Sequence, residues 1–132
     1  MDETCEQVRE KTKEEKRLDK IEQIAKVCHE VNRAYIKAIT GEDVPSWEDA
    51  PSWQTGSTKV GVEQALNYPE ISPEELHDNW VYFKLGTGWT YGEEKNIDKK
   101  THPSLIPYKD LPETEKVKDH LFRAVVNALR NT

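Results

Sequence analysis

Trp80 and Lys84 stand four residues apart in a segment that reads as helix, so the indole and the ammonium share one face. An aromatic plane beside a cation suits a ligand with a flat base and a phosphate. The base stacks on the ring, and the charge meets the anion. Lys95 follows the aromatic run Trp89-Thr90-Tyr91-Gly92, and a chain that folds back there brings a second ammonium towards Lys84. Trp89, Tyr91 and His77 complete the candidate ligand-binding set. Each of these three also reads as a packing or turn residue, and Trp80 shares its stripe with Leu76 and Phe83, which a purely structural core position would also do. Trp47 and Trp53 flank a loop bounded by Pro45 and Pro51; they either wall a pocket or staple that loop to the core.

Other chemistries find little support. The chain has no Walker sequence, and Gly86-x-Gly88 alone is not a dinucleotide fingerprint. His29, His77, His102 and His120 are scattered, and neither Cys5 nor Cys28 belongs to a metal-binding or redox pair. The expectation is no metal and no cofactor. His77 and Asp78 are neighbours on a helix and point apart, so His77 is expected to make a structural hydrogen bond rather than form a catalytic dyad. No catalytic set is expected. The net charge of −6 argues against a nucleic-acid polymer as partner, since displacing counterions needs a basic face. Nothing approaches the length of apolar run that a membrane span needs, and residues 1–16 carry no apolar stretch. Reduced thiols and a cytoplasmic location are the expectation, with Cys28 as plain core.

The elements that must position these groups are mostly helical. Residues 1–20, with nearly balanced acids and bases, read as a charged helical arm preceding a domain over 21–132. From Ile21, apolar residues recur at three- and four-residue steps through Ile24, Ala25, Cys28, Val31, Tyr35, Ala38 and Ile39, up to a stop at Gly41. A second helix is expected over 51–67, with Pro51 at its first position and Trp53, Ser57, Val60 and Gln64 on one stripe. Ser72-Pro73-Glu74-Glu75 is a capping box that opens a third helix running to about Leu85. A short strand at 89–92 and a hairpin return over 93–107 follow. Pro112 opens the last helix, whose buried stripe is predicted as Val117, Leu121, Ala124, Val125 and Ala128. The fold class is therefore mainly α (α+β): a small helical domain with one short β-hairpin. At a mean hydropathy of −0.89, its core depends on large side chains, for which four Trp and five Tyr are available.

Four patterns in order carry a resemblance. They are His77-Asp78-x-Trp80, Gly88-Trp89-x-Tyr91-Gly92, His102-Pro103-x-Leu105-x-Pro107-Tyr108 and Leu111-x-x-x-Glu115-Lys116. Together they closely resemble the ryanodine-receptor repeat (RyR) domain of single-repeat bacterial or phage type, most densely over 77–130. The second helix, with Trp47 and Trp53, is similar to the looser amino-terminal part of that family, and residues 1–20 lie outside the likeness. The resemblance implies a small, mainly α fold with a β-hairpin and an adenine-nucleotide or other nucleotide-derived ligand such as a cyclic dinucleotide or ADP-ribose-type signal. It places the base on Trp80 and phosphate on Lys84 and Lys95, positions where the family commonly carries Arg. Lys keeps the charge but lacks the bidentate fork. The acidic pair usual after the second basic position is Asn96-Ile97-Asp98 here. Because the large calcium-release channels carry such repeats in pairs, the resemblance also implies that a single repeat works as a homodimer. The expected role is a sensor of a second messenger, or a sponge for one. A protein-interaction module without a small ligand is the alternative, and an enzyme acting through His77 or His102 is a weaker third.

Overall fold

The computed structural model describes residues 9–132. Four helices, α1 (Lys13–Thr40), α2 (Ser52–Asn67), α3 (Pro73–Gly86) and α4 (Glu113–Leu129), enclose a single core. Strands β1 (Thr90–Tyr91) and β2 (Thr101–His102) and a 3₁₀ turn at Tyr108–Asp110 lie between α3 and α4.

Capping defines the starts of α1 and α3. Thr12 accepts the Glu15 N–H while the Glu15 carboxylate accepts the Thr12 N–H, and α1 ends at Gly41, whose N–H donates to Lys37 O. Ser72 and Glu75 make the same reciprocal pair at α3, with Pro73 in the first turn. Ser72→Ala is expected to cost about 1 kcal/mol, the typical value of an N-cap hydroxyl, measurable as a lower denaturant midpoint at unchanged slope.

α1 runs without a break across the expected boundary at 20/21. Arg17 reaches Glu63 of α2 at 2.6 Å, and Lys20 donates to the carbonyl of Arg130. The rest of the expected arm, with Cys5, lies outside the described residues. Ile21, Ile24, Ala25 and Cys28 are buried as their spacing predicts, and burial pushes the Cys28 thiol up to about 12, an inert core group. Further along, Ala38 and Ile39 are exposed and Val31 and Tyr35 only half-buried, because the last turns of α1 pass beyond the core.

Pro51 precedes α2 as an extended cap residue instead of filling its first turn. Val62 and Ala65 supply its core contacts, Gly61 lies against the Phe122 ring of α4, and Gly56 faces open space. The predicted stripe of α2 faces a cleft rather than the core, as described below.

The short strands pair in parallel, Thr90 with Thr101 and Tyr91 with His102, and do not form a hairpin. An antiparallel closure does occur, but inside the connection, where Asn96 and Thr101 exchange N–H···O bonds of 3.0 Å; the chain then passes alongside β1 in the same direction. Gly92 permits this crossing, since a Cβ there would sit 2.6 Å from Thr101 Cβ. The buried stripe of α4 is also rotated. Val126 is fully buried with Phe122, Val125 and Leu129 packed around it, whereas Val117, Ala124 and Ala128 are exposed. Continuing that inner face towards the start of α4 gives Asp119, Lys118 and Glu115, so charge takes places where an apolar stripe was sought. Among the described residues no helix is long and apolar enough to cross a membrane.

Candidate functional site

The charged end of α4 faces a cleft of about 780 Å³, within the usual size range of small-molecule sites. The last turns of α1, the stripe of α2, the inner face of α3, the segment 102–106 and the first turns of α4 form its walls. Five of the six candidate residues, Trp80, Lys84, Lys95, Trp89 and His77, lie on that wall. Tyr91 does not line this cleft: it is 54% exposed on β1.

Local backbone geometry brings Trp89 onto Lys84. After α3 the Thr87 N–H returns to Phe83 O and Lys84 O, and the Trp89 N–H returns to Lys84 O at 3.0 Å. Gly88, at φ 95°, makes the left-handed step this reversal needs. The Trp89 indole is consequently buried, with the Lys84 ammonium 5.0 Å from its centroid. Trp53 completes the arrangement from α2, 5.2 Å from Trp89 and 4.8 Å from Lys84 Nζ. Of the two tryptophans flanking the proline-bounded loop, then, Trp53 walls the cleft. Trp47 staples the loop, with its N–H on Glu30 at 2.9 Å and its ring against His29.

Lys95 is exposed as a residue, and its ammonium stands 5.8 Å from the centroid of the same Trp53 ring. Neither Lys84 nor Lys95 has a carboxylate within ion-pair distance among the described residues. Lys84 is only 5% exposed, and its pKa falls to about 8, first through burial and then through the nearby Lys95 charge. The Lys95 pKa falls as well, mainly through burial; Glu42 opposes the shift and Lys118 adds to it. On α4, Lys118 forms an ion pair with Glu115 at 3.0 Å, and Glu115 also accepts from Ser104. Beside them burial and the Glu115 charge raise Asp119 to about 7.

Trp80 is half-buried between two imidazoles, 5.6 Å from His77 and 5.1 Å, edge-on, from His102. His77 makes the structural hydrogen bond expected of it, donating from Nε2 to Ile106 O at 2.8 Å, and its Nδ1 stands 4.0 Å from Asp119. His77 thus lies on the cleft wall with its ring beside Trp80. No group of three or more His, Cys, Asp or Glu among the described residues is placed to hold a metal ion.

The RyR domain family model matches residues 58–130, more than half of the chain. The chain belongs to the RyR domain family. The match takes in most of α2 and all of α3, both strands and α4, while Trp53, which closes the cage around Lys84, precedes it. Sequence reasoning overlooked Lys118 and Asp119, within the matched segment, and Asn32, before it, as cleft residues. For the first two a signal existed: Glu115, Lys118, Asp119 and Phe122 recur at helical spacing on the face that Val126 continues. Asn32 gave none, because a lone amide late in an amphipathic helix looks like any surface position.

Proposed function

We propose that this RyR domain binds a nucleotide-derived small molecule without transforming it, as a sensor or a sponge of a second messenger. One observation carries the reading. Two ammonium groups lacking carboxylate partners among the described residues converge over a single indole inside an open, aromatic-walled cleft. A buried cation with no counter-ion is costly, and an incoming anion removes that cost. Trp80, half-exposed on the same wall, offers a ring to a base, and stacking contributes about 1–3 kcal/mol per base. Charge-assisted bonds from Lys84 and Lys95 add roughly 1.5–3 kcal/mol each. After ordering costs the sum is compatible with micromolar affinity. The family's paired architecture adds a second copy to the proposal. The exposed Tyr82 and Leu85 on α3, with Tyr91 and Ile97 beyond it, offer apolar surface for one.

The test is calorimetric titration with ATP, ADP-ribose and cyclic di-AMP, alongside sedimentation with and without each probe. At least one probe is expected to bind and, at a hundredfold excess over its Kd, to stabilise the fold by about 2.7 kcal/mol. Binding should weaken as salt is added. If no phosphate-bearing probe binds, the reading fails, and capture of a protein partner by the exposed apolar residues becomes the better account.

A further inference from the structure

His102 sits on β2 against both Trp80 and Trp89, with ring centroids 5.1 and 6.5 Å away. The backbone N–H of Ser104 donates to its Nδ1 at 3.0 Å. That bond makes Nδ1 an acceptor, so in the neutral ring the proton must reside on Nε2. Burial, then the charges of Lys95 and Lys118, hold the imidazole pKa down at about 4, with Glu115 opposing and Lys84 adding to the effect. The ring therefore stays neutral throughout the physiological range. Nε2 has no hydrogen-bond partner among the described residues. His102 is half-buried and lines the cleft, so this unpaired N–H belongs to a residue of the cleft wall.

We infer that His102 is a ligand-contacting residue of this cleft, a neutral donor fixed in the Nε2–H tautomer that gives one hydrogen bond to a ligand oxygen beside Trp80. The inference rests on the small-molecule reading above. It narrows the ligand class to one with a phosphate, ribose or carbonyl oxygen close to its stacked base. A neutral donor adds direction where the lysines add charge. Lys84 and Lys95 attract any anion, whereas the His102 N–H selects one whose acceptor falls next to the indole plane. It also leaves the cleft's cationic count unchanged, because a third positive charge so close to Lys84 and Lys95 would be strongly disfavoured.

The test uses the full chain and whichever of ATP, ADP-ribose or cyclic di-AMP binds it. His102→Phe keeps a ring and loses the donor, and it is expected to bind roughly tenfold more weakly. His102→Gln, whose amide N–H reaches the Nε2 position, should stay within a few-fold of the wild type. With ¹⁵N-labelled histidine, the His102 Nε2–H resonance of the wild type should shift at saturating probe. An unmoved resonance overturns the inference, whether or not the Phe variant folds. Wild-type affinity in His102→Phe, with binding still lost in Lys84→Met, overturns it too while the small-molecule reading stands. Absence of binding by all three probes to the wild type removes both.

Discussion

Lys84→Met is expected to make the protein more stable and to weaken its binding of ATP, ADP-ribose or cyclic di-AMP by about 10- to 100-fold. Both effects have one cause. The Lys84 ammonium is buried, lies between the Trp53 and Trp89 rings, and has no carboxylate beside it among the described residues. Its pKa drops from an ordinary 10.5 to about 8, so the folded state holds this proton less tightly than the unfolded chain does. A shift of that size corresponds to roughly 3 kcal/mol of destabilisation below pH 8. Attraction to two indole faces offsets about 1–2 kcal/mol of it. Met fills the same volume without charge, and a gain of about 1–3 kcal/mol is expected at pH 7. The pH dependence identifies the cause. Between about pH 8 and 10.5 the unfolded chain binds more protons at this position, so wild-type stability rises there with pH. The Met variant lacks that rise, and the two should converge near pH 10.5. Denaturant unfolding at pH 7, 9 and 10.5 reads the difference, and calorimetry at pH 7 reads the affinity. A Met variant less stable than the wild type at pH 7 would mean that Lys84 is already satisfied, and the argument for an anion site would go with it.

The same residue explains what was legible beforehand. Local rules carried most of the helices: the capping box at Ser72 and Glu75, the stop at Gly41 and the three- and four-residue steps from Ile21 to Cys28 depend only on neighbours in sequence. That Trp80 and Lys84 line the same side of α3 was legible for the same reason, although the rings that meet the Lys84 ammonium are Trp53 and Trp89 rather than Trp80. What failed depended on partners far along the chain. The α4 stripe was misplaced because its inner face changes from apolar at Val126 to charged at Lys118 where α4 leaves the core and meets the cleft. Hydrophobic periodicity cannot register a face that is buried at one end and lines a polar cleft at the other. The sequence marks two extended runs with turn residues between them, a pattern that predicts a hairpin. The direction of pairing is set by the Asn96–Thr101 closure and the space at Gly92. Trp53 could not be placed on the cage from its own neighbours, because its contacts are with Trp89 and Lys84, far along the chain.

Trp80→Ala tests the tension between packing and binding that the sequence left open. The indole is half-buried, touching His77 and His102 on the inside and the cleft on the outside. A fully enclosed Trp truncated to Ala costs about 3–5 kcal/mol; half-burial reduces this to roughly 2 kcal/mol, a loss the domain should survive with its helices intact. Loss of the stacking surface should weaken a base-bearing probe by about 1–3 kcal/mol, or 5- to 150-fold. The two effects separate through a second variant and a second ligand. Trp80→Phe should recover most of the stability and part of the affinity, because a smaller ring still packs and still stacks. Inorganic pyrophosphate has no base, so whatever affinity it has for Lys84 and Lys95 should be nearly the same in the wild type and Trp80→Phe. Equal losses for pyrophosphate and ATP in Trp80→Phe would make the indole a support for the lysines alone. A loss confined to ATP would assign the base to Trp80.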